Sequence, residues 1–440
     1  MSALNYGLTP KMKPISPRRN ALVAALDVGT SKVACIIARL RPHSPQQMLP
    51  RRSHAIEVVG FGHAAARGTK AGGVVNLAEA ENAIRQAVDG AERMAGVEIE
   101  SVVLSISAGR LSSTLFAAEI DVAGSAVSAA DIARVLAAGN RQSLRQGRAV
   151  LHSLPVSYSI DGANGIRDPR GMLGARFGVD LHVATSDIAA ARNLILAVER
   201  CHLSVEAMVA SPYVSGLSVL ADEEADLGAA VVDMGAGTTT IAVFLGGRFV
   251  HCEGFALGGL NVTMDVARGL NTGVADAERI KTLYGSVLTG GSDEGDMIAV
   301  PPINEDEREQ PQFVSRAALV RIIKPRVEEI LEMTRDRLAA SLFAGEPRGH
   351  VILTGGASQL AGLPDLAGRI LDRPVRLGRP LGIAGLPDAG KGAAFAAAAG
   401  LLVYPQAAHL EHFEARGQRY LMNGTGGYLA RVGQWLRESF

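Results

Sequence analysis

The chain carries one short grammar twice, and that repetition limits its fold more than any other feature. An apolar strand signal, Ala21 to Leu26, runs into Leu26-Asp27-Val28-Gly29-Thr30-Ser31-Lys32, and a second strand signal covers Lys32 to Leu40. About two hundred residues later, Leu227 to Val232 leads into Val232-Asp233-Met234-Gly235-Ala236-Gly237-Thr238-Thr239-Thr240, with a return strand from Thr240 to Leu245. A strand closed by an acid, a glycine turn and a return strand, repeated, predict a duplicated α/β fold with a cleft between its halves. Glycines at a hairpin tip let backbone N–H groups approach an anion closely. Thr and Ser hydroxyls add donors, and Lys32 supplies a point cation. A carboxylate repels phosphate, so Asp27 and Asp233 make sense beside one only with an intervening Mg²⁺ held largely through water. One such turn alone is an ordinary hairpin. Two of them, joined by a third glycine turn at Leu353-Thr354-Gly355-Gly356-Ala357-Ser358, are far more specific. Glycines in the third turn would let an adenine ring lie flat against the backbone. The GxxxxGK[ST] and GxGxxG patterns are absent.

The rest of the chain divides around these turns. Residues 1–20 are basic and proline-containing, which predicts a disordered extension. Residues 21–100 form the first part of one lobe, with helical periodicity over 77–95 that puts Ile84, Val88 and Ala91 on one face. Residues 101–184 read as a small inserted module of short strands and one helix. Residues 185–226 return to the first lobe, and 227–403 make the second, including a helical subdomain at about 260–332 with a flexible acidic loop. Residues 404–427 read as a flexible linker and 428–440 as an amphipathic helix.

Lys plus Arg and Asp plus Glu number 44 each, so charge calls for no polyanion partner and no nucleic acid is expected. Cys35, Cys201 and Cys252 lack metal-binding spacing and read as thiols in a reducing cytosol. No signal peptide precedes the first strand, and no run of about 18 uncharged apolar residues is present. The expected location is therefore cytoplasmic, with any membrane contact peripheral.

The three turns, in their order and spacing, resemble the two phosphate motifs and the adenosine motif of the actin-like superfamily. That resemblance implies an actin-like (ribonuclease H-like) two-lobed fold with ATP and Mg²⁺ in the interdomain cleft, Asp27 and Asp233 lying near a water-coordinated metal. It implies nucleotide contacts from Gly29, Thr30, Ser31, Lys32, Gly235, Gly237, Thr238, Thr239, Gly258, Gly259, Gly355, Gly356, Ala357 and Ser358. Asp276-Ala277-Glu278-Arg279-Ile280-Lys281 is similar to the superfamily's ribose-holding segment, and an i, i+3 spacing places Glu278 and Lys281 on one helix face; a solvated ion pair is the plainer reading.

Within that superfamily the chain resembles the FtsA family of cell-division proteins from about Ala21 to its last residue. RAVLHSLPVSYSIDG, LAVERCHLSVEAMVASPY, VVDMGAGTTTIAV, VILTGGASQLAGL and GQWLRESF carry the likeness, and the inserted module is similar to that family's own subdomain. Two departures stand out. Thr240 replaces an acid usual in the second turn, and Ser211 stands before Pro212 where related chaperones have a water-orienting glutamate. Tight nucleotide binding with slow hydrolysis is expected.

The family resemblance also implies partners: the tail of the tubulin-like ring protein FtsZ, further copies of the chain in filaments, late divisome membrane proteins and membrane phospholipids. Arg316 and Lys324 are the candidates for contacting an acidic FtsZ tail, or are simply solvated cations. In the final segment Tyr428, Leu429, Val432, Trp435, Leu436 and Phe440 fall within an arc of roughly 140° on a helix. Arg431 and Arg437 lie opposite. Such a short helix is marginal in water, and Trp favours the membrane interface. It is expected to bind the cytoplasmic face of the inner membrane at the septum, weakly alone and strongly through avidity in a polymer. A pilus-assembly scaffold and a small-molecule kinase of the same superfamily are the alternatives.

Overall fold

A computed structural model describes residues 9–43, 52–143, 146–291, 293–303 and 311–411. The segment 428–440 and most of the expected linker lie outside these residues.

Each lobe is built on one sheet of the same plan. In the first, Ala21–Val28, Lys32–Pro42 and His54–Ala65 form an antiparallel meander. Ser101–Ile106 pairs parallel to the far side of Ala21–Val28, with Ala25 opposite Val103. Ser204–Ala210 extends that edge, and Ile383–Ala384 extends the other. In the second, Ala229–Met234, Thr239–Leu245 and Arg248–Phe255 form the meander, and His350–Thr354 takes the parallel place. The expected strand at Leu227 starts two residues later, because Leu227 closes a short helix, Asp222–Leu227.

Strands covered on both faces must be apolar at every position rather than at alternate ones. Residues 229–232, the stretch ahead of Asp233, meet that demand and feed two cores. Ala229 and Val231 join a core that runs through the first lobe, while Ala230 and Val232 face the helices of the second. The helix Leu77–Ala95 buries Ala80, Ala83, Ile84, Ala87, Val88 and Ala91 along one stripe, capped by Asn76 and ended by Gly96 in the left-handed conformation. Between the sheets lie two packed helices, Ser211–Val219 and Ala396–Ala407. They approach so closely that a Cβ on Gly400 would stand 1.8 Å from the Val214 carbonyl oxygen.

Several boundaries differ from expectation. Ser101–Ile106 belongs to the first-lobe sheet, so the inserted module begins after it. The module is a four-stranded sheet of Ser112–Asp121, Arg176–Asp187, Arg148–Ile160 and Ala163–Ile166, with the helix Ala129–Ser143 and a core of its own. The second lobe ends earlier than residue 403, since Ile383–Ala384 and Ala396–Ala407 pack with the first. Residues 293–303 are not a plain loop: Met297–Val300 pairs with Gln312–Ser315. Residues 9–20 are not a free extension either: Thr9 is buried against Val150, and the Pro10 carbonyl accepts from Met208 N. The chain also stays packed past residue 404.

Both corrections at the chain's ends have one cause, a buried polar clasp. Glu411 accepts from Lys11 Nζ at 2.7 Å, from His152 Nδ1 at 2.8 Å and from the Tyr404 hydroxyl at 2.9 Å. His152 Nε2 accepts from Ala210 N, so Nδ1 is the protonated nitrogen. Burial by itself raises the Glu411 carboxyl, but the Lys11 ammonium and the hydrogen bonds from Lys11 and His152 outweigh it and pull it down to about 2. A composition-based reading misses this, because a lysine and a glutamate 400 positions apart carry no local signal. Ala393–Leu410 is apolar and long enough to cross a membrane, but 78% of it is buried in the fold, which marks a core helix.

Candidate functional site

The two glycine turns are built alike. Gly29 N donates to the Lys32 carbonyl at 2.9 Å, and Gly235 N donates to the Thr238 carbonyl at 2.8 Å. They also meet: a Cβ on Gly237 would come within 2.5 Å of Thr30 Oγ1. The tips of the two hairpins, from different lobes, therefore oppose each other across one cleft of about 1230 Å³.

Asp27, Gly29, Thr30, Ser31, Lys32, Asp233, Gly235, Gly237, Thr238, Gly259, Glu278, Lys281, Gly355, Gly356 and Ala357 all line it. Three expected residues support the cleft instead. Thr239 donates to the Leu257 carbonyl, and Ser358 to that of Gly355. Gly258 lies so close to the second hairpin that a Cβ would stand 2.4 Å from the Gly235 carbonyl oxygen. The following helix, Gly259–Leu270, spends its first N–H groups on that hairpin: Gly259 N binds the Gly235 carbonyl and Leu260 N that of Ala236. Gly355 has φ +85°, and a Cβ there would fall 2.3 Å from Asp233 Oδ1, so no larger residue fits beneath the acid.

The charges at the floor act on one another. Burial lowers the Lys32 ammonium's pKa, opposed by attraction to Asp27 and Asp233. Its Nζ rests on the Ala394 carbonyl and 4.2 Å from the Phe395 ring centre. Burial pushes Asp233 up to about 6; Asp27 adds to the rise, while a Ser215 hydrogen bond and Lys32 oppose it. Among the described residues no three His, Cys, Asp or Glu side chains gather as a ready-made metal cage. Two carboxylates beside anion-binding turns suit a cation that brings most of its own oxygen ligands.

Further along the cleft, Lys281 Nζ binds Glu278 Oε2 at 2.7 Å, Thr263 Oγ1 at 2.8 Å and the Gly259 carbonyl at 3.1 Å. Thr263, also bonded to Glu278, completes a polar cluster that spacing alone could not include. Sequence reading likewise passed over Ser105 and Ser215, whose hydroxyls donate to Asp27 Oδ1 and Asp233 Oδ2. The local signal is weak: Ser105 is one of two serines in an apolar strand, and Ser215 one of three in an apolar helix. Ser211 lines the cleft, buried, with its hydroxyl unpartnered among the described residues. Thr240 lines it too, directly opposite Asp233 in the ladder.

Arg316 borders the cleft, donating to the Tyr284 carbonyl at 3.1 Å and lying 3.6 Å from Asp293. Lys324 is outside the cleft, 3.7 Å from Glu328.

Comparison with known proteins settles the family. Residues 230–400 match the family model "Cell division protein FtsA", and residues 108–185 match "SHS2 domain inserted in FTSA". The cell division protein FtsA of Agrobacterium fabrum is 52% identical over 437 residues, 99% of this chain and 98% of that one. The chain belongs to the FtsA family. FtsA of Escherichia coli K12 is 32% identical over 426 residues, covering 95% of this chain and 98% of its own length. Among solved structures, the PilM-PilN type IV pilus biogenesis complex has a chain similar at TM-score 0.59 and 17% identity, covering 87% of this chain and 98% of that one. MreB5 of Spiroplasma citri bound to ADP is similar at TM-score 0.52 and 12% identity, over 93% of this chain and all of that one. These structures support the actin-like fold. This FtsA-family chain is an actin-like cell-division protein, and the match to its insert begins at residue 108, after Ser101–Ile106.

Proposed function

We propose that this chain binds ATP in the interlobe cleft, assembles into filaments in that state, and tethers the FtsZ ring to the cytoplasmic membrane. The observation that carries the reading is the opposition of the two hairpin tips, Thr30 against Gly237, over Asp27, Lys32 and Asp233. Backbone N–H groups of the turns, with Thr30, Ser31 and Thr238, would hold the phosphates, while Glu278 and Lys281 would hold the ribose. Gly355, Gly356 and Ala357 would underlie the base. Mg²⁺, when bound, supplies charge neutralisation between phosphate and the two aspartates. No carboxylate, Gln or His replaces the missing water-orienting group at Ser211, so nucleotide serves assembly rather than rapid turnover.

Residues 428–440 are proposed as the membrane contact, by their apolar side and sole tryptophan. Lys324 remains a candidate contact for the acidic FtsZ tail. Arg316, drawn to the cleft wall, is a weaker one. The test is filament formation on lipid monolayers. ATP should give filaments with the wild-type chain and none with Asp233→Ala. Filaments formed equally without ATP would overturn the reading, and unchanged liposome pelleting after removal of 428–440 would overturn its membrane part.

A further inference from the structure

The duplicated halves treat their aspartates differently. In the first lobe, the strand parallel to Ala21–Val28 supplies Ser105, whose hydroxyl donates to Asp27 Oδ1. The matching position in the second lobe is Thr354, which stands beside Asp233 in the parallel ladder. Its hydroxyl turns away, to the carbonyls of Gly378 and Ala393. Asp233 instead receives a serine from outside its sheet, Ser215, on the helix Ser211–Val219 between the lobes.

Both serines are buried, at 1% and 0% exposure. A buried hydroxyl that gives its proton to a carboxylate makes a strong, charge-assisted bond and fixes which oxygen stays available. Ser215 is itself fixed, because its helix is locked to Ala396–Ala407. Ser218 Oγ donates to the Ala396 carbonyl at 2.8 Å, and Gly400 admits the close backbone contact at Val214.

We propose that Ser105 and Ser215 are positioning residues that orient Asp27 and Asp233 to receive a hydrated divalent cation with bound nucleotide. This rests on the nucleotide reading of the cleft. The two bonds do the same task by different routes, one inside a sheet and one across the boundary between the second-lobe strand and the interlobe helix.

The experiment is titration calorimetry of ATP into the full chain, in Mg²⁺ and in EDTA. The readout is the factor by which Mg²⁺ tightens binding. In Ser105→Ala and in Ser215→Ala that factor should fall by about 10–100-fold, the usual effect of removing a group that orients a metal ligand. Affinity in EDTA should stay at the wild-type value. Ser105→Thr, which keeps a hydroxyl on a strand position suited to β-branching, should restore the factor. In an Asp233→Asn background, Ser215→Ala should change nothing further. Folded alanine variants with the wild-type Mg²⁺ factor, or an equal loss of affinity in EDTA, would overturn the proposal while leaving ATP binding in place. A wild-type chain that binds no ATP in either buffer would remove the underlying cleft reading as well.

Discussion

Consider replacing Glu411 by glutamine. The side chain keeps its shape but loses the charge that balances Lys11 and accepts from His152 and Tyr404. The carboxyl titrates at about 2 rather than its ordinary 4.5, a drop of about 2.5 units. At about 1.36 kcal/mol per unit, that is about 3 kcal/mol of stability at neutral pH. Breaking a buried pair by removing one partner costs about 3–5 kcal/mol by general experience, which agrees. The sign follows from the depressed value: the contribution is complete above about pH 4.5 and is lost as pH falls toward 2. Urea denaturation of the lipid-free chain, followed by far-ultraviolet circular dichroism at pH 7.5, should show the first transition destabilised by that amount. Replacing the pair together, Lys11→Met with Glu411→Gln, should recover most of it, because no charge is left stranded and the amide oxygen still accepts from the buried donors. A cost below about 1 kcal/mol for Glu411→Gln would refute the account, since a buried charge cannot lose its partner so cheaply.

Asp233→Asn should stabilise the nucleotide-free chain at pH 7.5 by about 3 kcal/mol, because burial raises the native carboxyl from 3.8 to about 6. The gain should shrink as pH falls from 6 toward 4, where the native acid is already protonated; thermal melts across that range check it. Gly355→Ala places a Cβ against Asp233 at a left-handed φ, and should cost about 1–3 kcal/mol from the backbone alone and abolish ATP binding by calorimetry. Cys35 is pushed by burial to about 12 and Cys201 to about 11, so a thiolate-selective reagent at pH 8 should leave both unmodified in the folded chain and label them in urea.

The hairpins were legible because their chemistry is local: an acid, glycines and hydroxyls within a few positions. Helix 77–95 was legible because its stripe repeats at 3.6 residues. What escaped depended on contacts between distant segments. Ser101–Ile106 reads like any short strand, and only its pairing with Ala25 and Leu26 assigns it to the first lobe. The apolar alternation of Ile383–Ala384 is too brief to indicate its return to Ile56. Thr263, Ser105 and Ser215 each take their role from a partner at least 15 positions away. The basic, proline-containing stretch at 9–20 reads as unstructured because its order comes from distant segments: Glu411, the Val150 and Leu151 carbonyls, and the core on which Met12 and Ile15 pack.

The path of the backbone gives the clasp a mechanical meaning. The chain enters the second sheet once, after Asp222–Leu227, and leaves it once, after Val375–Leu377, before its last described helix packs back beside Ser211–Val219. Lys11 and Glu411 are thus bolted to one body, which the second sheet joins through two covalent crossings and the shared core around Ala229 and Val231. A pull on the segment beyond Glu411 is borne by the first body. The second sheet carries none of that load through the clasp itself.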